Sequence, residues 1–300
     1  MPDISKKTSE YGAEEITDLV KLSRRPTLLE NIQQYVEEIG DVFASRVIYV
    51  GDFTSFAGNV FYWMGVKTVR RDALARAFYQ IGVLSLPVVM LTGMFIGMVL
   101  AVQCHAQFKA IGMAERLGGA INLSLVRELG PVLAAVMLAG RVGCSIAAEL
   151  GTMRVTEQID ALTSMGTNPI WYLVVPRFLG CLLLIPALTV MADVMGIYGG
   201  AYYCVHVLGI ESGPYWENSY HFVGGFDIFT GIFKSLFFGA AIALIACHQG
   251  FRCDAGAEGV GKAATVSFVA SFVMILFIDL ILGIVLERVN QMLGNVPGIV

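Results

Sequence analysis

The chain has 300 residues, of which 56% are hydrophobic and only 15% charged, with a net charge of -4 and a mean hydropathy of +0.69. An average soluble domain carries about 25% charged residues, so this composition points into a lipid bilayer. The acidic balance gives nucleic acid no footing, and no nucleic-acid partner is expected.

Residues 1–26 mix charges with helix breakers and read as a polar tail. They lack the charged-then-apolar start and cleavage site of a signal peptide, so insertion is expected through the spans themselves. From Thr27 the pattern changes. Leu28, Ile32, Tyr35, Ile39 and Val42 recur at helical spacing with Glu30, Gln33, Glu37 and Glu38 between them, which predicts an amphipathic helix. Residues 50–66 carry Phe53, Phe56, Phe61, Tyr62 and Trp63, interrupted by Gly51, Gly58 and Gly65. That composition suits a segment lying in the membrane interface, with a sixth span as the competing reading. Residues 27–75 are therefore grouped as amphipathic and interfacial helices, 76–290 as the membrane domain and 291–300 as a C-terminal tail.

A membrane helix needs roughly 20 apolar residues. Residues 81–101, 178–197, 228–247 and 266–286 meet that length, and residues 131–148, extended back through Leu123 and carrying Arg141, make a fifth span. The expected fold is all-α and polytopic, with about five transmembrane helices. Lys67, Arg70, Arg71, Arg76, Arg154, Arg177, Arg252 and Lys262 gather at one side of these spans, against Lys109, Arg116 and Arg288 at the other. The positive-inside bias places the N-terminus in the cytoplasm and the C-terminus outside. The six cysteines form no C-x-x-C pair and read as small apolar packing residues.

The loop after span 2 holds a short helix of its own. Thr156 is placed to cap it, Ile159, Leu162 and Met165 make an apolar stripe, and Gly166 and Pro169 end it. Lying across the mouth of a span pair, it is either a docking element or an ordinary surface helix. Charges within spans are costly unless paired or wet. Arg141, Asp193, Lys234 and Asp279 are such charges, and mutual neutralisation is preferred to a proton relay for Arg141, Lys234 and Asp279. Arg127 and Glu128, before Gly130-Pro131, face a cavity or snorkel as an interfacial pair.

Residues 256–263 nearly spell the phosphate-binding loop G-x-x-x-x-G-K-[ST], but Ala263 stands where a hydroxyl is needed. Without a nucleotide site of its own, the chain needs a partner to use ATP. His105, His206, His221 and His248 are scattered without metal-ligand spacing, so neither metal nor cofactor is expected, and catalysis in this chain is not expected either.

Several motifs in order then become specific: Gly93-Met-Phe-Ile-Gly97, Ser124-Leu-Val-Arg127-Glu128-Leu-Gly-Pro131, Ala139-Gly-Arg141-Val-Gly-Cys-Ser145, Ala148-Glu149-Leu-Gly-Thr-Met153, Thr156-Glu157-Gln-Ile-Asp160 and Ala257-Glu258-Gly-Val-Gly261. Across about residues 75–287 the chain closely resembles the MlaE/YrbE permease family. The resemblance implies the membrane subunit of an ABC-type transporter of the Mce class, moving lipids, phospholipids foremost, between the inner and outer membranes of a double-membraned bacterium. It implies a second permease copy as a homodimer, a cytoplasmic ABC ATPase and a periplasmic Mce-domain substrate-binding protein as partners.

Carried over residue by residue, the resemblance places Met98, Leu100, Ala101 and Phe108 near the acyl chains and Arg127 and Glu128 near the polar end of the lipid. It makes residues 157–165 the coupling helix, with Arg154, Glu157, Asp160, Leu162 and Met165 toward the ATPase. Gly93 and Gly97, one turn apart, form a small-xxx-small pair that permits close helix approach. The chain departs from the family in its longer start, about fourteen residues after Leu286, Asp193 and the pair Trp171-Tyr172. An ion-coupled secondary transporter using Asp193, Lys234 and Asp279 is the alternative, and a non-transporting scaffold a third reading.

Overall fold

The computed structural model describes residues 28–110, 112–113 and 116–292, so the predicted tail 1–26, residues 293–300 and the side chains of the Leu28–Val42 stripe lie outside what is described. The chain divides between Ser55 and Phe56 into two units, and among the described residues the helices long and apolar enough to cross a membrane all lie in the second. Helix α1, Leu28–Val66, is one uninterrupted helix. The two segments expected there are continuous, because a glycine lowers helix propensity by only about 1 kcal/mol.

Five long helices follow the predicted spans: α2 (Arg71–Ala110), α3 (Leu117–Val155), α5 (Ile170–His206), α7 (Gly225–Phe251) and α8 (Gly256–Met292). Each overruns the apolar run that signalled it, since helices continue through the interface on polar turns. Between them lie the short α4 (Gln158–Ser164) and α6 (Ser212–Phe222). The protein is a multi-pass α-helical membrane protein.

Proline shapes three of the spans. Wide π turns occupy Tyr79–Val83 in α2, Leu125–Leu129 in α3 and Ile170–Val174 in α5, followed within four residues by Pro87, Pro131 and Pro176. A proline has no N–H to return to the carbonyl one turn back, and the helix absorbs the missing bond by widening. A fourth π turn, Ala139–Gly143, carries Arg141 between two glycines.

The tightest packing is between α2 and α5. A Cβ at Gly93 would stand 2.9 Å from Ala192 Cα, and one at Gly97 would stand 3.0 Å from Gly196 Cα. The expected small-xxx-small pair thus finds its partner on α5, where Gly196, Gly199 and Gly200 return the fit and the two backbones meet with no side chain between them.

Helix α6 was not foreseen: its sequence, Ser-Gly-Pro-Tyr-Trp-Glu-Asn-Ser-Tyr-His-Phe, is polar and opens on breakers. Tertiary contacts hold it. Tyr215 is fully buried beside Ala101, Leu117, Ile121, Ala201 and Cys204, and Asn122 Nδ2 donates to Ser219 Oγ at 2.9 Å. The cysteines are unpaired, with Cys181, Cys204 and Cys247 buried, which fits their expected packing role.

The segment that imitates a phosphate loop forms the first turns of α8. Gly256, at φ 88°, makes the tight turn into it, and Lys262 Nζ lies 3.3 Å from Asp254 Oδ2.

Candidate functional site

The expected intramembrane charges sort into three places. At the end of the bundle opposite α4, Arg127 and Glu128 of α3 meet Asp227 and Lys234 of α7 and Asp279 and Glu287 of α8. Lys234, 0% exposed, is bonded to Glu128 and lies 3.0 Å from Asp279 Oδ1. Arg127 is bonded to Glu287 and stands 3.9 Å from Glu128 and 4.0 Å from Asp227. The cluster therefore joins two cations to four carboxylates, and the Glu128 side chain stays 46% exposed.

Local structure explains the meeting. The π turn Leu125–Leu129 projects Arg127 and Glu128 together, and the Val126 carbonyl comes so close to Gly231 that a Cβ there would collide with it. That approach of α7 brings Lys234, one turn further along, within reach of Glu128. Asp227 was missed because it reads as an ordinary helix-start acid, and it does fill that role: its Oδ2 accepts from Gly224 N–H at 3.0 Å. Glu287 was missed because it lies just past the apolar run of span 5, though its position among polar residues at a span end was a usable signal.

Neutralisation holds for Lys234 and Asp279 but not for Arg141, which was expected to pair with an intramembrane acid. Arg141 donates instead to the Leu84 carbonyl, beside the broken turn before Pro87. Asp193 stands apart as well. It is buried against Gly130, where a Cβ would overlap its Oδ1. The trio Asp193, Lys234 and Asp279 of the ion-coupled reading is thus divided: Lys234 pairs with Asp279, while Asp193 occupies a glycine notch at the α3–α5 contact.

Of the residues carried over to the acyl chains, Ala101 is wholly buried, and Leu100 and Phe108 pack against the same cluster around Tyr215. Met98 is half-buried.

At the other end, α3 gives way to α4. Thr156 does not cap α4 as expected. Its hydroxyl donates to Thr152 O at 2.8 Å, closing α3, while Glu157 takes the left-handed conformation at φ 58° and starts α4. Arg154 Nη1 donates to Asp160 Oδ1 and Oδ2 at 2.7 and 2.9 Å, bracing α4 against the end of α3. The stripe is graded: Ile159 is buried, Leu162 half-buried and Met165 71% exposed. Gly166, at φ 73°, ends the helix as expected.

Residues 74–285 match the family model described as Permease MlaE. The chain belongs to the MlaE permease family. It is 40% identical over 232 residues to a probable ABC transporter permease protein of Rickettsia felis, covering 76% of this chain and 88% of that one. A probable ABC transporter permease protein of Synechocystis shares 40% over 218 residues, 73% of this chain and 83% of its own. The intermembrane phospholipid transport system permease protein MlaE of Haemophilus influenzae shares 36% over 210 residues, 70% of this chain and 80% of its own. The matched span of this MlaE-family permease contains the charge cluster up to Asp279, all of α4 and the α2–α5 crossing, and stops just before Glu287.

Proposed function

We propose that this permease is the membrane subunit of an ABC transporter that moves phospholipid between the inner and outer membranes of a double-membraned bacterium, driven by a separate ATPase. One feature carries the reading: α3 joins the two candidate sites. From Arg127 to Arg154 it runs 27 residues, roughly 40 Å at 1.5 Å per residue, and it ends on α4, whose exposed face includes Glu157, Asp160 and Met165. A push on α4 is passed along α3 to the charge cluster.

The excess of Lys and Arg at the α4 end supports a cytoplasmic α4 and N-terminus. In this reading the ATPase grips α4 through Glu157, Asp160, Leu162 and Met165, with Arg154 holding α4 in place. Closure of the ATPase dimer tilts α3 and α5 and shifts Arg127 and Glu128 against α7 and α8. The half-exposed carboxylate of Glu128 and the Arg127 guanidinium meet the polar end of the lipid, and Met98, Leu100 and Phe108 border its acyl chains, while Ala101, wholly buried, packs behind them. The apolar face left outward on α8, including Phe272, Leu276, Phe277 and Leu280, suits lipid or a second copy in a homodimer. An Mce-domain protein receives or delivers lipid on the periplasmic side. Support for phospholipid comes from the name of the Haemophilus relative.

The test is co-purification. With Glu157→Lys and Asp160→Lys together, a co-expressed partner ATPase should be lost from the purified complex while the permease still inserts and folds. Retention of the ATPase at the unmutated level would reject docking on α4.

A further inference from the structure

A second charged site lies at the α4 end, away from the cluster just described. Arg70, Arg76 and Arg177 converge with Glu149 on a cavity of about 230 Å³ between α2, α3 and α5. A cavity of about 170 Å³ adjoins it, shares Glu149 and Arg177, and adds Arg141. Four arginines therefore face one carboxylate. Glu149 is committed to Arg177 at 2.8 Å. The Arg76 Nε reaches only the Asp72 carbonyl of its own helix, and Arg70 lies 5.9 Å from the Tyr172 ring. Neither Arg70 nor Arg76 has a carboxylate partner among the described residues.

Aromatic side chains fix the depth of this cavity. Lys67 Nζ stands 4.9 Å from the Trp171 ring and 5.9 Å from that of Trp63, and Tyr172 lines the cavity itself. The indole N–H of Trp171 is buried without an acceptor among the described residues. Tryptophan and tyrosine collect at the headgroup level of a bilayer. From two residues past Arg76 to about three turns past Arg177, Phe78, Val83, Leu86, Leu184 and Leu188 line an apolar groove that leads toward hydrocarbon depth. The arginines thus lie level with lipid phosphates. Basic pockets between transmembrane helices on the cytoplasmic side take anionic headgroups, and a planar guanidinium fork matches phosphate oxygens.

We infer that Arg70 and Arg76, beside the Arg177–Glu149 pair, form a binding site for the headgroup phosphate of an anionic phospholipid of the cytoplasmic leaflet, separate from the lipid path at the opposite end of α3. This rests on the proposed function only for which membrane face the pocket occupies. Such a lipid would pin the entry of α2 to that of α5 and so help the two helices move together.

Bound lipid can be read by fluorescence. Trp171 precedes the cavity-lining Tyr172 and shares Lys67 with Trp63, and Trp216, on α6, is removed as a reporter by Trp216→Phe. The full-length protein in detergent is titrated with phosphatidylglycerol brominated on its acyl chains, and separately with brominated phosphatidylcholine. Phosphatidylglycerol should quench at the lower concentration. Arg70→Gln with Arg76→Gln should raise its half-quenching concentration about 30-fold, which is about 1 kcal/mol per arginine, and leave the phosphatidylcholine curve in place.

The protein with both arginines intact supplies a second measurement. Raising NaCl from about 0.05 to about 0.5 M shortens the screening length several-fold and should weaken phosphatidylglycerol but not phosphatidylcholine. Equal curves for the two lipids, a phosphatidylglycerol curve that ignores salt, or one that the double substitution leaves unmoved would overturn the site. Displacement of phosphatidylglycerol by millimolar inorganic phosphate would also overturn it, by making the pocket a free-anion site. Because the readout is binding rather than transport or ATPase retention, its failure leaves the coupling role of α4 standing.

Discussion

Lys234 Nζ lies 3.0 Å from Asp279 Oδ1, so a fully buried ammonium joins α7 to α8. Removing one member of a buried pair leaves an uncompensated charge and costs about 3 kcal/mol or more, whereas replacing both with apolar groups can be nearly neutral. Lys234→Met should therefore lower the thermal unfolding temperature in detergent sharply, and Lys234→Met with Asp279→Leu should recover much of the loss. Additive losses in the double variant would show that the two residues act separately.

Arg127→Ala with Glu128→Ala should reduce phospholipid recovered with the purified complex several-fold, measured by mass spectrometry of extracted lipid. Recovery at the unmutated level, in a protein that still elutes as a single species, would remove both residues from the lipid path.

The α2–α5 crossing gives a contrast between glycines. Gly97→Leu puts a side chain where the Gly196 carbonyl already stands and should abolish a monodisperse elution profile. Gly261→Ala, with nothing within 4 Å of the added Cβ, should be neutral or stabilise by up to about 1 kcal/mol through helix propensity. A destabilising Gly261→Ala would contradict a helical start to α8.

Glu157 holds a left-handed conformation that costs a residue with a side chain about 1 kcal/mol, part of which glycine loses again in unfolded-chain entropy. Glu157→Gly should raise stability by roughly 0.5 kcal/mol while weakening ATPase retention. Stability and docking would then move in opposite directions, and a parallel fall of both would refute this account of the α3–α4 junction.

Burial pushes the Tyr215 phenol up from its ordinary range. A free tyrosine ionises near about pH 10, so above that pH the unfolded chain loses this proton while the folded chain keeps it, and stability falls with rising pH. Below about pH 9 Tyr215 contributes almost no slope. Tyr215→Phe should flatten the decline in unfolding temperature between about pH 9.5 and 11, and an unchanged slope would mean that Tyr215 is not the group responsible.

The spans were legible because bilayer solvation writes itself into long apolar runs, and Gly93 and Gly97 because spacing by four places them on one helix face. Helix α6 was not, since Tyr215 is held by α2, α3 and α5 and Ser219 by Asn122 of α3, and not by local propensity. Pairing of Lys234 with Asp279 could be anticipated from charge balance, but the place of Asp227 and Glu287 depends on how closely α7 and α8 approach α3, which Gly231 sets from a distance. Arg141 misled because an acid was sought where a proline-broken turn offered a carbonyl. Thr156 misled because its hydroxyl had a nearer acceptor one turn back.

Where α2 and α5 cross at Gly93, Gly97 and Gly196, no side chain lies between the two main chains to change rotamer, compress or slide. Such a seam has no play. In the proposed cycle a stroke that tilts α5 must carry α2 with it, so the two helices travel as one rigid piece. A covalent strap placed across that seam should leave its cycle running, while one tying α3 to α8 should stop it.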